Sequence, residues 1–184
     1  MTTNMDLRQD FFFGDIYFNN FINLDDEDLE IIRSWRNNEN IRKWMYNDEM
    51  IEKEEHANFI DSLRHKSKTG YWLVKRNKQY TGVLDITKID FKNKNAYFGI
   101  YGNPEERIEG RGKILAKAMK ELAFDKLKLH SIHLEAIEDN ERAINFYEKI
   151  GFTKEGTLRE FVFKDNKWKN VIVLGMTEDD YKNR

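Results

Sequence analysis

The sequence predicts an α+β domain built on one mostly antiparallel sheet. Two observations carry that expectation. Between residues 71 and 101, apolar and aromatic residues fall into three short runs. Asn77-Lys78 and the stretch Lys92-Asn93-Lys94-Asn95 separate them, which is the pattern of an antiparallel meander. After Pro104 the period changes. Leu115, Ala118, Met119, Leu122 and Ala123 recur at helical spacing, and strand, helix and strand signals then alternate. Pro104 is the only proline and no Gly/Ser- or Pro-rich stretch divides the 184 residues, so the chain reads as one domain.

In order along the chain, residues 1–15 read as an N-terminal extension and 16–184 as the domain. Phe11, Phe12 and Phe13 in the extension suit a strap packed on the domain or a homodimer contact, with a mobile, sticky arm as the alternative. Residues 16–22 form a first strand. Asp25 then caps a helix whose first turn carries Asp26, Glu27 and Asp28, where the helix dipole favours negative charge. Leu29, Ile32, Trp35 and Arg36 follow at helical spacing, the run 37–40 interrupts, and a short piece covers 41–46. Residues 52–66 give a second helix with Ala57, Phe59, Ile60 and Leu63 on its apolar side. Strands are expected over 71–74, 81–89 and 96–101, then a helix over 113–127 and a strand over 131–137. A helix over 140–150 ends at Gly151, a suitable C-cap. Two strands joined at Asp165-Asn166 occupy 153–176.

Composition excludes several classes of function. Basic and acidic residues nearly cancel, 31 against 33, so there is no basic surplus for a nucleic-acid partner. The absence of cysteine removes disulfides, thiolate metal sites and a Cys nucleophile. His56, His65, His130 and His133 lack ligand spacing with carboxylates, so no metal is expected. No basic n-region and no long apolar run marks a signal peptide or a membrane span, and the expected compartment is the cytoplasm. No Ser-His-Asp or nucleophile-elbow pattern is present.

The segment between strand 96–101 and the following helix carries the most information. It runs Asn103-Pro104, then Arg107-Ile108-Glu109-Gly110-Arg111-Gly112, then Lys113 into the helix. Free N–H groups at a helix N-terminus and the helix dipole favour an anion, and glycines let a phosphate approach the backbone. A glycine pair before a helix also suits a tight turn with no ligand. The third glycine of the dinucleotide fingerprint is missing, and so is the Gly-Lys-Ser/Thr of a P-loop.

Arg107-x-x-Gly110-x-Gly112 resembles the Q/R-x-x-G-x-G/A signature of the GCN5-related (GNAT) acetyltransferases. Asn140 to Phe152, read as N-x-x-A-I-x-x-Y-E-K-x-G-F, is similar to a second signature of that family, in the right order and with a strand between. The resemblance implies a fold with flanking helices and a mixed, mostly antiparallel sheet splayed in a V. It implies acetyl-CoA as co-substrate, its pyrophosphate cradled by the loop and its pantetheine arm lying in the V. On that basis Arg107, Ile108, Gly110, Arg111, Gly112, Lys113, Asn140 and Tyr147 are the cofactor-binding residues, and Tyr147 returns a proton to the leaving thiolate. The chemistry agrees: a thiol titrates near pH 8.5 and a phenol near 10, so a tyrosine serves as donor without large tuning. A core aromatic is the alternative reading of Tyr147.

A further resemblance covers roughly residues 24–176. Trp35-Arg36-Asn37, Ile41 to Tyr46, His56-x-x-Phe59-Ile60, Gly82 to Ile89, Tyr97 to Pro104 and Leu129 to Glu135 look like the nucleotide-sugar N-acetyltransferases of pseudaminic acid biosynthesis. Those enzymes acetylate the 4-amine of a UDP-linked 4-amino-4,6-dideoxy-N-acetyl-altrosamine, whose product serves flagellin and surface glycans. Arg36 then offers a planar fork to phosphate and His56 a second donor, while Met45, Tyr46 and Phe59, with Trp44, flank base or sugar; Tyr97, also counted as substrate-binding, lies on the strand beside the cofactor cleft, on one face with Gly99 and Tyr101. Arg36 also suits a helix C-cap, His56 a solvated helix face, and Trp44 and Met45 a core. The amine's base is Glu135 or a water beside it, on the strand face shared with Ser131 and His133; Glu138 and His133 compete. Related N-terminal patterns occur in ribosomal-protein N-terminal acetyltransferases, so a protein N-terminus or a polyamine is the alternative acceptor. A non-catalytic acyl-CoA-binding regulator is the alternative of another class.

Overall fold

The structure, a computed structural model, describes residues 6–183. Among the described residues one sheet holds eight strands: β1 (Phe11–Phe13), β2 (Ile16–Asn20), β3 (Gly70–Arg76), β4 (Gln79–Asp90), β5 (Asn95–Gly102), β6 (Ser131–Ile137), β7 (Thr153–Lys164) and β8 (Lys167–Thr177). Their spatial order is β1-β2-β3-β4-β5-β6-β8-β7, and only the β5–β6 pair is parallel. The helices are α1 (Asp26–Asn37), α2 (Glu39–Arg42), α3 (Lys53–Leu63), α4 (Arg111–Lys120), α5 (Glu141–Lys149) and α6 (Glu178–Lys182).

The two tight hairpins follow from residues that tolerate left-handed backbone. Asn77 and Lys78 (φ 51° and 66°) join β3 to β4, and Asp165 and Asn166 (φ 53° and 57°) join β7 to β8. Two successive left-handed residues give the turn whose twist matches that of the flanking strands.

Strand alternation feeds two cores. Trp72 and Val74 of β3, Leu84 and Ile86 of β4 and Phe98 of β5 face Leu115, Ala118 and Met119 of α4. Leu73 and Val83 face the other way, beneath Ile32 and Trp35 of α1 and Ile60 and Leu63 of α3. The sheet is thus a middle layer between helices, each face burying the apolar stripe of its helix.

Several boundaries differ from the sequence expectation. Residues 6–13 of the expected extension share the domain's sheet and core: Phe11 to Phe13 pair with β2, and Leu7 is buried against Trp72 and its neighbours. The interruption at 37–40 narrows to Asn38, whose side chain caps α2 by accepting from Asn40 N–H, and α2 ends at Arg42. The helix expected over 113–127 starts at Arg111 and widens into a π-helical turn over Glu121–Lys126. Helix α6 has no counterpart in that reading, although Thr177 and Asp180 form a capping box.

The feature that positions the site is the parting of β5 from β6. They pair only from Asn95–Ser131 to Tyr97–His133. Beyond that point β5 stays with β4 and β6 stays with β8, so a V opens between them. The backbone groups of Phe98 to Gly102 and of Leu134 to Ile137 that would have paired across the gap line its edges.

Candidate active site

A cavity of about 480 Å³ opens along the V. Phe98, Gly99, Ile100 and Tyr101 of β5 all border it, as do Glu135 and Ala136 of β6. Consecutive residues of a strand point to opposite faces, so four in a row border one cavity only where the strand's own edge is open to it. Ile32 and Arg36 of α1, Trp44 and Met45 after α2, and His56 and Phe59 of α3 wall one end. Asn140, Ala143 and Tyr147 at the α5 side wall the other.

The loop before α4 is set by Asn103, which is buried. Its Nδ2 donates to the Tyr80 carbonyl (3.0 Å), and its Oδ1 accepts from the N–H groups of Glu105 and Glu106 (2.9 and 3.3 Å). Gly110 is the helix N-cap at φ +69°, a conformation that costs a non-glycine residue about 1–2 kcal/mol. No described side chain caps α4, so the N–H groups of Gly112 and Lys113 remain available to an anion. Gly112 has a second reason for lacking a side chain besides phosphate access. A Cβ there would stand 2.9 Å from the Phe146 ring, so this glycine lets α5 pack against the start of α4. The Arg111 guanidinium folds back onto the loop, its Nη1 donating to the carbonyls of Asn103 and Glu106. Arg107 and Lys113 are exposed, and Ile108 packs at the margin of the main core. An uncapped helix start beside unpaired strand edges fits the pyrophosphate and amide groups of coenzyme A.

At the reacting end, Asn140 caps α5, its Oδ1 accepting from Ala143 N–H at 3.3 Å. Tyr147, two turns on, is buried with Phe146 and Phe152 around its ring. Burial, and then the Asp85 carboxylate, push its phenol well above the usual range, so it holds its proton at neutral pH.

The candidate bases separate. Glu135 borders the cavity, with Oε2 accepting from the Tyr46 hydroxyl at 2.6 Å and Oε1 3.8 Å from Lys88 Nζ. Both oxygens of Glu138 accept from Asn170 at the far end of β6, which makes it a strand-end clamp. His133 lies between Glu155 (2.8 Å) and Ser131 (3.2 Å), against the Tyr97 ring. Tyr97 closes the apex of the V rather than bordering the cavity: it belongs to the last parallel pair, and Lys88 Nζ sits 4.4 Å from its ring centre.

Of the acceptor residues, Arg36, Met45, His56 and Phe59 border the cavity, and Tyr46 reaches it through Glu135. Arg36 Nη2 donates to the Asn47 carbonyl at 2.7 Å, while Nη1 is buried with no partner among the described residues. His56 is half-buried. Burial, and then Arg33, lower its pKa, so it is a neutral donor and acceptor at pH 7.

The sequence reading did not single out Asp85. It borders the cavity from β4, and burial pushes its carboxyl up to about 7. The signal was a carboxylate between Leu84 and Ile86 in an otherwise apolar strand. Alternation places it with Val83, on the side covered by α1 and α3.

A splayed parallel pair, a bare helix start at its mouth and a buried tyrosine beside the gap define an acetyl-CoA-dependent N-acetyltransferase. The chain belongs to the acetyltransferase (GNAT) family, which matches residues 29–152. It is similar to acetyltransferase PseH of Campylobacter jejuni, 33% identical over 138 residues covering 75% of this chain and 85% of the relative. It is 26% identical to the spermidine N(1)-acetyltransferase of Vibrio cholerae over 85% of this chain and 91% of that one. Among solved structures, the Vibrio cholerae spermidine enzyme with CoA and spermine superposes with a TM-score of 0.81 at 25% identity, over 92% of this chain and 99% of that one. Campylobacter jejuni PseH with acetyl coenzyme A gives 0.68 at 26% identity, over 89% and 99%. Acetyl-CoA is the co-substrate, and the described residues hold no group of three or more metal-ligating side chains. No described helix is long and apolar enough to cross a membrane.

Proposed function

We propose that the acetyl acceptor is the 4-amine of a UDP-linked 4-amino-4,6-dideoxy-N-acetyl-altrosamine, in the biosynthesis of pseudaminic acid for flagellin or surface glycans. The observation that carries this reading is Arg36. Its guanidinium borders the cavity with one buried N–H group unpaired, beside the neutral His56. A buried unpaired donor of this kind awaits an acceptor, and a diphosphate supplies one with the matching charge. Trp44, Met45 and Phe59 supply apolar walls for the base and for the 6-deoxy edge. The sequence likeness to PseH supports the same acceptor.

Polyamine acetylation is the second reading. The likeness to spermidine acetyltransferase favours it, and so do Glu55, Asp85 and Glu135, three carboxylates on the cavity wall. Arg36 argues against it, because a polycation would meet a like charge whose Nη1 is left without an acceptor among the described residues. In either case the amine attacks the thioester directly. Tyr147 protonates the departing sulfur, and Glu135, held by Tyr46, orients the amine. The reading also puts the enzyme in the cytoplasm.

Thiol release from acetyl-CoA, followed with the UDP-amino sugar, with spermidine and with a ribosomal-protein N-terminal peptide, tests the assignment. Turnover confined to the UDP-sugar supports it. Turnover with spermidine or peptide alone overturns the acceptor. Acetyl-CoA binding without turnover on any amine indicates a regulator.

A further inference from the structure

We propose that the Asp85 carboxylate is the proton acceptor of the reaction. As the neutral amine's nitrogen bonds to the thioester carbonyl carbon, one N–H proton passes to Asp85. The C–S bond breaks, its electron pair leaves with sulfur, and the thiolate takes a proton from the Tyr147 phenol. Asp85 has then gained a proton and Tyr147 has lost one. Transfer of that proton between them, through solvent in the cavity, restores both with no net change.

The placement follows from register. Asp85 lies directly between Tyr71 of β3 and Gly99 of β5 in one row across the sheet. Its carboxylate leans over Gly99: a Cβ on that residue would stand 2.4 Å from Asp85 Oδ2. Gly99 is two residues past the last β5–β6 pair, so the carboxylate reaches over a bare backbone to the edge of the V. No described residue hydrogen-bonds it, and burial alone raises its pKa, to about 7. A carboxylate that is half ionised near neutrality and has all its lone pairs free meets the requirement for a general base. Glu135 differs, since one oxygen takes the Tyr46 hydroxyl and the other lies near Lys88.

The surroundings couple the two proton steps. The titratable and charged groups that share the cavity wall are Tyr71 on β3, Tyr101 on β5, Tyr147 on α5, Arg36 on α1, Glu135 on β6, and Glu55 and His56 on α3. The Asp85 charge holds the phenols of Tyr71, Tyr101 and Tyr147 up, in each case after burial. When Asp85 takes the amine's proton that charge disappears, and Tyr147 becomes a stronger acid at the step where the thiolate needs a proton.

This inference rests on amine acetylation and not on the identity of the acceptor. The test therefore uses whichever amine of the panel the wild-type enzyme turns over, and a different acceptor overturns the sugar reading alone. kcat is measured from about pH 5.5 to 9 for wild type, Asp85→Asn and Glu135→Gln, with acetyl-CoA affinity titrated separately. The expected wild-type rate rises with pH through a limb near 7. Asp85→Asn is expected to lose about a hundredfold or more in kcat and to lose that limb, with acetyl-CoA affinity within about twofold. Glu135→Gln is expected to keep the limb. The proposal is overturned if Asp85→Asn keeps the limb, or if Glu135→Gln is the variant that loses it. If Asp85→Asn does not fold, carboxyl 13C signals of the wild-type aspartates decide: one titrating near pH 7 supports the proposal, and all titrating below about pH 5 overturn it.

Discussion

Lys164 of β7 and Asp48 of the segment after α2 form an ion pair of 2.8 Å, although 116 positions separate them, and the lysine side chain is only 6% exposed. The same ammonium donates to the Met45 carbonyl at 2.9 Å. One buried cation thus ties the β7–β8 hairpin to the segment whose Trp44 and Met45 wall the acceptor end of the cavity. Lys164→Met keeps the apolar stem and removes both bonds. Asp48 remains about half solvated, so the stability loss should stay near 1–2 kcal/mol. The larger expected effect is a rise of several-fold in KM for the amine, with KM for acetyl-CoA unchanged. Thermal unfolding and two-substrate kinetics measure the two effects.

Arg36→Ala removes the guanidinium with the unpaired N–H group. A hydrogen bond from a charged donor is worth about 1.5–3 kcal/mol, so KM for a UDP-linked acceptor should rise tenfold or more. The free amino sugar, lacking the diphosphate, should show no such change. Steady-state kinetics on both acceptors checks the difference, and an unchanged KM for the UDP-sugar removes Arg36 from the phosphate site.

Tyr147→Phe keeps the ring among Phe146 and Phe152 while removing the proton. The expected loss is about ten- to thousandfold in kcat, with acetyl-CoA affinity retained. An unchanged kcat assigns thiolate protonation to water.

The alternation in 71–101, the helical spacing in 113–127 and the order of the two signature segments made the sheet, its central helices and the coenzyme loop legible. Residues whose function depends on a distant partner were not legible. Asp85 matters because Gly99 lies beside it across the sheet, and Lys164 because a loop far away in sequence folds over it. Glu138 had the right residue type near the end of the right strand, but Asn170 of the neighbouring strand occupies both its oxygens. Spacing along one chain carries local geometry, and these three depend on contacts between segments.

Asp85 also makes stability depend on pH. Burial pushes its carboxyl up to about 7 in the folded protein, against an ordinary value of 3.8. Between those values the folded state binds more protons than the unfolded chain, so stability falls as pH rises through the window. The loss is absent below about pH 4 and complete above about pH 7. Asp85→Asn lacks this penalty. It should exceed wild type by roughly 2–4 kcal/mol at pH 8 and match it at the acid end. Urea unfolding of both proteins across the range measures the difference, and a gap that does not change with pH contradicts the assigned titration.

Gly112→Ala tests whether helix packing or phosphate access fixes that glycine. An added Cβ would stand 2.9 Å from Cε2 of Phe146, inside any normal carbon contact, and the ring is held against Tyr147. Either the half-buried Phe146 ring must shift or the start of α4 and the body of α5 must move apart. Overpacking of this kind costs about 1–3 kcal/mol. Because α5 carries Tyr147, the shift should also lower kcat. If packing is the cause, Gly112→Ala combined with Phe146→Leu should recover both stability and kcat, since the smaller side chain vacates the space. If phosphate access is the cause, the double variant should stay as weak for acetyl-CoA as the single one. Calorimetric titration with coenzyme A and thermal unfolding of the single and double variants separate the two, and the 2.9 Å approach favours recovery.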